Sequence, residues 1–263
     1  MTATLRRASL GVAGTVGIAG AVQLALWADR INQAVFPLPS TMIMRAAGLA
    51  GNGAFLAAVG STLVAWAEAM VITVAIAVPA GMLLGMLPRA ESAARPVIEF
   101  LRPIPSVVLL PLVLLIVQDD LRTEVVVIVF ASVWPVIINT VYGFREVDPV
   151  AKETLRSFGF GSLAVACRVS LPSAAPFIAT GVRIAASLAF VVAVAVELIG
   201  VGMSGIGAYV GVSQSGSADI AMLLAVAIWS GLIGLALNAV FVAAERRAFR
   251  WHHALTETPG GTA

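Results

Sequence analysis

Long uncharged runs separated by short charged segments constrain this chain more than any motif does. Ile220–Ala244 holds 25 consecutive uncharged residues, and Val125–Phe144 and Ala8–Ala28 are similar. About 20 apolar residues span a bilayer as a helix. Only 11% of the 263 residues are charged and 60% are hydrophobic, where a soluble domain carries roughly 25% charged residues. A water-soluble globule is therefore excluded. Disorder is excluded too, because its signature is high charge with low hydrophobicity.

Reading the runs in order predicts an all-α, polytopic membrane protein with about six transmembrane helices. The first is Ala8–Ala28, read as a retained span because it is longer than a signal peptide's apolar core and no convincing cleavage site follows. The second lies within Ile43–Leu87, which is too long for one crossing. Arg45 and Glu68 interrupt it, which predicts a flanking interfacial helix over Gly53–Ala67 and a crossing over Ala69–Leu87. The third, Pro103–Gln118, contains Pro103, Pro105 and Pro111 and needs neighbouring helices to cover its freed backbone. Val125–Phe144, Pro176–Gly200 and Ile220–Ala244 complete the set.

Charge placement then predicts the orientation. With the N-terminus inside, segments 1–7, 88–102, 145–175 and 245–263 carry 12 of the 16 basic residues, and the outer segments carry Arg30, Arg45 and Arg122. This asymmetry satisfies the positive-inside rule and places both termini in the cytosol. A net charge of +2 gives no footprint for nucleic acid.

The longest cytosolic segment is 145–175. Asp148-Pro149 is a helix start, an N-cap followed by proline at the first position. A short helix over Val150–Phe158 follows, with Gly159 and Gly161 supplying a turn. A second helix over Ser162–Val169 is expected to end at Leu171-Pro172. Val150, Leu155 and Phe158 share an apolar face, with Lys152, Glu153 and Arg156 toward water or a partner. Such an insert is more than a connector.

Catalytic and metal motifs do not stand out. The only lysine, Lys152, follows Ala151 and not the glycine of a phosphate loop. His252 and His253 are adjacent and do not share a helix face, so they read as a solvated tail. Cys167 is the sole cysteine and reads as a small packing residue. The glycines of Gly200–Gly207 read as a flexible outer turn and not as a dinucleotide loop. Two acids stay inside apolar sequence. Glu197, near the outer end of the fifth span, is either a pathway or gate residue or a structural carboxylate at the helix end. Glu68 reads as interfacial. Asn139 and Gln23 are candidate interhelical hydrogen-bonding residues, with packing as the default for both.

At the insert the sequence resembles a known family. Glu153-Thr154-Leu155, Gly159, Val169 and Leu171-Pro172 resemble the loop that defines the membrane subunits of bacterial ABC importers. Pro37-Leu38-Pro39-Ser40, Leu101-Arg102-Pro103-Ile104-Pro105, Val147-Asp148-Pro149, Pro176, Gly181, Arg183 and Glu197 are similar to the nitrate/sulfonate/taurine-type permeases. The resemblance covers about residues 36–250. It implies a type I importer permease core over 36–250, preceded by a helix and outer loop over 1–35 and followed by a tail over 251–263. It also implies a non-catalytic subunit of the bacterial inner membrane that forms the pathway for a small polar solute. ATP and magnesium would sit on separate ATPase subunits. The other partners are a periplasmic or lipid-anchored solute-binding protein and a second permease, either the same chain or a paralogue. The coupling residues carried over are Asp148, Pro149, Lys152, Glu153, Arg156, Gly159, Leu171 and Pro172, and the pathway or gate residues are Glu197, Asn139 and Arg183. Thr154 and Leu155 depart from the motif's two alanines, and Gln118–Arg122 departs from a Gly-rich turn. The rival from another class is an ion-gradient-driven transporter using Glu197 as a proton relay.

Overall fold

A computed structural model describes residues 13, 14, 17, 18, 20–26, 37–200, 204–213 and 219–249. The predicted first span is helical over 20–26, and most of its remainder lies outside the described residues, as do His252 and His253. Among the described residues all regular structure is helical. The elements are α1 (Pro39–Leu49), α2 (Gly53–Met86), α3 (Pro88–Leu101), a tight turn of helix over Ser106–Leu109, α4 (Leu110–Val117), α5 (Asp120–Arg145), α6 (Pro149–Ser157), α7 (Ser162–Val165), α8 (Leu171–Ile199), α9 (Ile206–Ser213) and α10 (Ile220–Ala248). Four helical segments are long and apolar enough to cross a membrane, and the bent pair of α3 and 106–117 makes a fifth crossing if counted as one.

The boundaries differ from expectation in three places. α2 is one helix of 34 residues, with no break between a flanking piece and a crossing. Its start is set by Asn52, whose side chain accepts from the Phe55 N–H at 3.1 Å. Glu68 therefore lies within the helix and does not mark a break in it. The third span is only Ser106–Val117, turned 82° from α3. Finally, the chain does not stop at Leu171-Pro172. Residues 166–170 form a widened π-type turn, and the helix continues to Ile199. Pro172 follows directly on that widened turn.

α2 and α5 lie side by side and run parallel. Thr73 Oγ1 and Ser132 Oγ hydrogen-bond across them at 2.7 Å, while Gly81 packs on Thr140 and Gly85 on Phe144. α8 runs antiparallel to both, with Ala174 against Gly143 at one end and Glu197 against Glu124 at the other. Buried Ala185, Ala186, Ala189 and Ala193 let its backbone approach closely. The Trp66 Nε1–H donates to the Ala186 carbonyl at 2.9 Å and holds α2 to α8. α10 is held to α1 by Trp229 Nε1–H donating to the Ala46 carbonyl at 2.8 Å, and by an Arg45–Asp219 ion pair at 3.6 Å.

α5 and α8 approach closely at Gly181. A side-chain carbon there would lie 2.8 Å from Asn139 Cβ and 3.0 Å from the Pro135 carbonyl oxygen. Gly181→Val is therefore expected to destabilise the bundle by about 1–3 kcal/mol. A thermal unfolding midpoint of the purified protein equal to wild type would refute this packing.

Candidate functional site

Two places concentrate chemistry: the α6–α7 insert at one end of the bundle, and a cluster of buried polar groups at the other.

The insert begins where the sequence places it. Asp148 caps α6, its carboxylate accepting from the Val150 N–H at 2.8 Å, and Pro149 occupies the first turn. The helix ends on Gly159 at φ +83°, a left-handed conformation that L side chains resist. The Gly159 N–H donates to the Arg156 carbonyl at 2.9 Å and the Phe160 N–H to the Leu155 carbonyl at 3.1 Å. This paired closure satisfies the last carbonyls of α6 and reverses the chain. Glu153, Thr154 and Ser157 are exposed on the outer side of α6, together with Val150 and a 77% exposed Phe158. Arg156 is exposed as well, while Leu155 is half-buried. Arg168 lies over the Phe160 ring, 4.9 Å from its centroid, a contact that braces the second half of the turn.

Lys152 departs from expectation. Its side chain turns back and donates from Nζ to the Phe144 carbonyl at 3.0 Å, tying α6 to the end of α5. Burial, with the Arg156 charge adding to it, pulls its ammonium below the ordinary lysine value. Leu171 packs with Phe144, Ala166 and Ala174 under the insert, and Pro172 is exposed. Cys167 is exposed and not a packing residue.

At the opposite end, Glu197 of α8 is 1% exposed and Glu124 of α5 is 3% exposed. Their carboxyl groups lie within hydrogen-bonding reach of one another. The Gly207 N–H donates to Glu197 Oε2 at 2.9 Å, and the Ile206 N–H donates to Thr62 Oγ1 at 2.9 Å. Ser61 and Ser204 hydroxyls meet at 2.9 Å. Four helices thus converge: α2 through Ser61 and Thr62, α5 through Glu124, α8 through Glu197 and α9 through its first N–H groups. One oxygen of each glutamate has no hydrogen-bond partner, and no ion pair reaches either carboxyl among the described residues. Gly205, at φ +140°, has no room for a side chain, because the Glu197 carboxyl fills that space. Residues 201–203 of the expected flexible turn lie outside the described residues, and the glycines that follow are packed onto Glu197.

Glu124 was not singled out by the sequence, since it borders a charged turn. Its signal was Asp119, which caps α5 by accepting from the Arg122 N–H at 2.8 Å and so places Glu124 one turn inside the helix. The remaining predicted residues do not join either place. Asn139 Nδ2–H donates to the Pro135 carbonyl of its own helix at 2.8 Å, and no interhelical bond from it is seen among the described residues. Gln23 Oε1 accepts from the Ser40 N–H at 3.3 Å. Arg183 pairs with Glu245 of α10 at 3.2 Å, and the Thr180 hydroxyl donates to that same glutamate at 3.3 Å.

An all-helical bundle with several membrane-length segments, a capped two-helix insert at one end and a buried polar junction at the other is an integral, multi-pass membrane protein. The profile of the binding-protein-dependent transport system inner membrane component family matches residues 77–250, and the chain belongs to that family. A probable ABC transporter permease of Brucella melitensis is 30% identical over 217 residues, covering 82% of this chain and 87% of the relative. The nitrate import permease of Leptolyngbya laminosa is 31% identical over 160 residues, 61% of this chain and 57% of its own length. Among solved structures, the inward-facing MetNI methionine ABC transporter superposes with a TM-score of 0.64 at 16% identity, over 74% of this chain and 95% of that one. That likeness shows the fold. The chain is the transmembrane subunit of an ABC importer.

Proposed function

We propose that this subunit forms half of a translocation pathway for a small polar solute and is driven by a separate ATPase that grips the α6–α7 insert. The carrying observation is the insert itself. A short helix, capped by Asp148 and closed by Gly159, projects Val150, Glu153 and Phe158 outward from the end of the bundle. An exposed apolar and acidic face of this kind suits a groove with a basic rim. Because α7 runs through the widened turn into α8, displacement of the insert is transmitted along one continuous helix to Glu197. Rigid-body coupling needs such an element.

In this reading the insert end faces the cytosol, as the basic residues require, and the membrane is the bacterial inner membrane. The Glu124–Glu197 junction sits at the outer end as a gate. Asp148, Pro149, Lys152, Glu153, Arg156, Gly159, Leu171 and Pro172 form or brace the docking surface. Arg183 ties α8 to α10 through Glu245 beside the pathway, and Asn139 lines α5 next to Gly181. The subunit carries no catalytic role; ATP and magnesium belong to the ATPase. A solute-binding protein delivers the solute from outside, and a second permease chain, identical or paralogous, completes the pathway. The Leptolyngbya relative makes an oxyanion one candidate solute, while acids at the outer end disfavour an anion locally.

Affinity purification from native membranes in mild detergent, with mass spectrometry of what accompanies the chain, tests this. An ATPase and a binding protein are expected to accompany it. Recovery of the chain alone, together with ATP-independent transport after reconstitution, would reject the proposal.

A further inference from the structure

A cavity of about 220 Å³ lies at the insert end, between α3 and α5, outside both places described above. From α3, Glu91, Arg95, Glu99 and Arg102 line it. Their spacing of four, four and three puts them on one helix face. Arg145 and Tyr142 of α5 close the other side. Glu91 is largely buried and pairs with both Arg95, at 3.1 Å, and Arg145. This fixes two guanidinium groups at the cavity while leaving most of their five N–H donors free. Arg102 makes no ion pair among the described residues. Three guanidinium groups against two carboxylates leave the cavity positive. Its remaining wall is apolar, with Ile98, Ile137 and Leu84 among its members.

α3 is turned 82° from the segment that follows it. On its far side Val97 and a 72% exposed Phe100 face outward. An amphipathic helix of this kind lies in the membrane interface with its apolar side toward the acyl chains. The cavity therefore opens at headgroup depth. We propose that it binds the phosphate headgroup of an anionic phospholipid. The guanidinium groups and the Tyr142 hydroxyl would take the phosphate oxygens, and the apolar wall would take the glycerol and first methylenes. Basic pockets between membrane helices recognise headgroups in this way. A soluble phosphate would leave the apolar wall unused, which is why the lipid is the occupant. The leaflet, cytoplasmic, rests on the orientation in the preceding reading; the binding does not.

The test is lipid retention by the purified full complex from nanodiscs of phosphatidylcholine doped with phosphatidylglycerol, counted by native mass spectrometry. Wild type is expected to retain phosphatidylglycerol over phosphatidylcholine. Arg102→Gln is expected to lower that retention about fivefold. Arg89→Gln, on α3 but off the cavity, should leave it unchanged. Glu99→Gln removes an acid from the cavity and should raise retention, so the proposal is testable even if Arg102→Gln fails to fold. Equal retention of the two lipids, equal losses in the Arg89 and Arg102 variants, or displacement of the lipid by inorganic phosphate would each overturn it. The retention readout needs no transport, so failure here and failure of the importer reading are separate results.

Discussion

Gly159→Pro is expected to lower uptake per ATP hydrolysed by at least about tenfold while the subunit still inserts and assembles its bundle. Proline fixes φ near −65°, whereas Gly159 sits at +83° and its N–H closes α6 onto the Arg156 carbonyl. The variant loses both the turn and that hydrogen bond. Any L residue in the left-handed region costs about 1–2 kcal/mol, so Gly159→Ala should show a smaller defect of the same kind. Nothing packs within 4 Å of the position where a side chain would start, which confines the damage to the insert. Glu153→Arg probes the same surface by a different route. The glutamate is exposed on the outer side of α6, and its replacement reverses the charge offered to the ATPase without touching the cap or the turn. Both variants should reduce ATPase co-purification or uncouple hydrolysis from uptake. Wild-type coupling in both would sink the assignment of the insert.

The insert was legible because its signals are local. Asp148-Pro149 is an N-cap with its proline, Gly159 is a left-handed stop, and both act through backbone groups within a few residues. The membrane architecture was legible for a similar reason, since uncharged length translates directly into crossings. Charge used as a boundary marker misled twice. Glu68 suggested a break in α2, but the helix runs through it from a start set by Asn52. The fourth span is expected to begin at Val125, just after the charged turn, yet α5 begins at Asp120 and carries Glu124 inside. Its neighbour in the junction is Glu197, which lies 73 positions away in sequence. No window of sequence contains that convergence. The continuity at Leu171-Pro172 was hidden for a third reason. A proline ends a helix when it removes a needed donor, and the widened turn over 166–170 changes which donors are needed.

Substitution at Glu197 separates a gate from an anchor. Glu197→Leu removes the acceptor of the Gly207 N–H and leaves that donor buried, at a cost of about 1–3 kcal/mol. Both lost transport and lost stability are expected, so the leucine variant alone decides little. Glu197→Gln keeps an oxygen for Gly207 and the shape that fills the space beside Gly205. Its fold should therefore survive, and only the contact with Glu124 changes character. If the junction opens and closes during transport, the glutamine variant loses about tenfold in uptake while its ATPase still docks, because the insert lies at the other end of the bundle. If Glu197 merely anchors the start of α9, the glutamine variant transports like wild type and only the leucine variant unfolds early. Uptake and ATPase docking measured on the two variants side by side distinguish these outcomes. A matched loss of docking in the glutamine variant would mean that Glu197 maintains the fold of the insert and does not act as a gate.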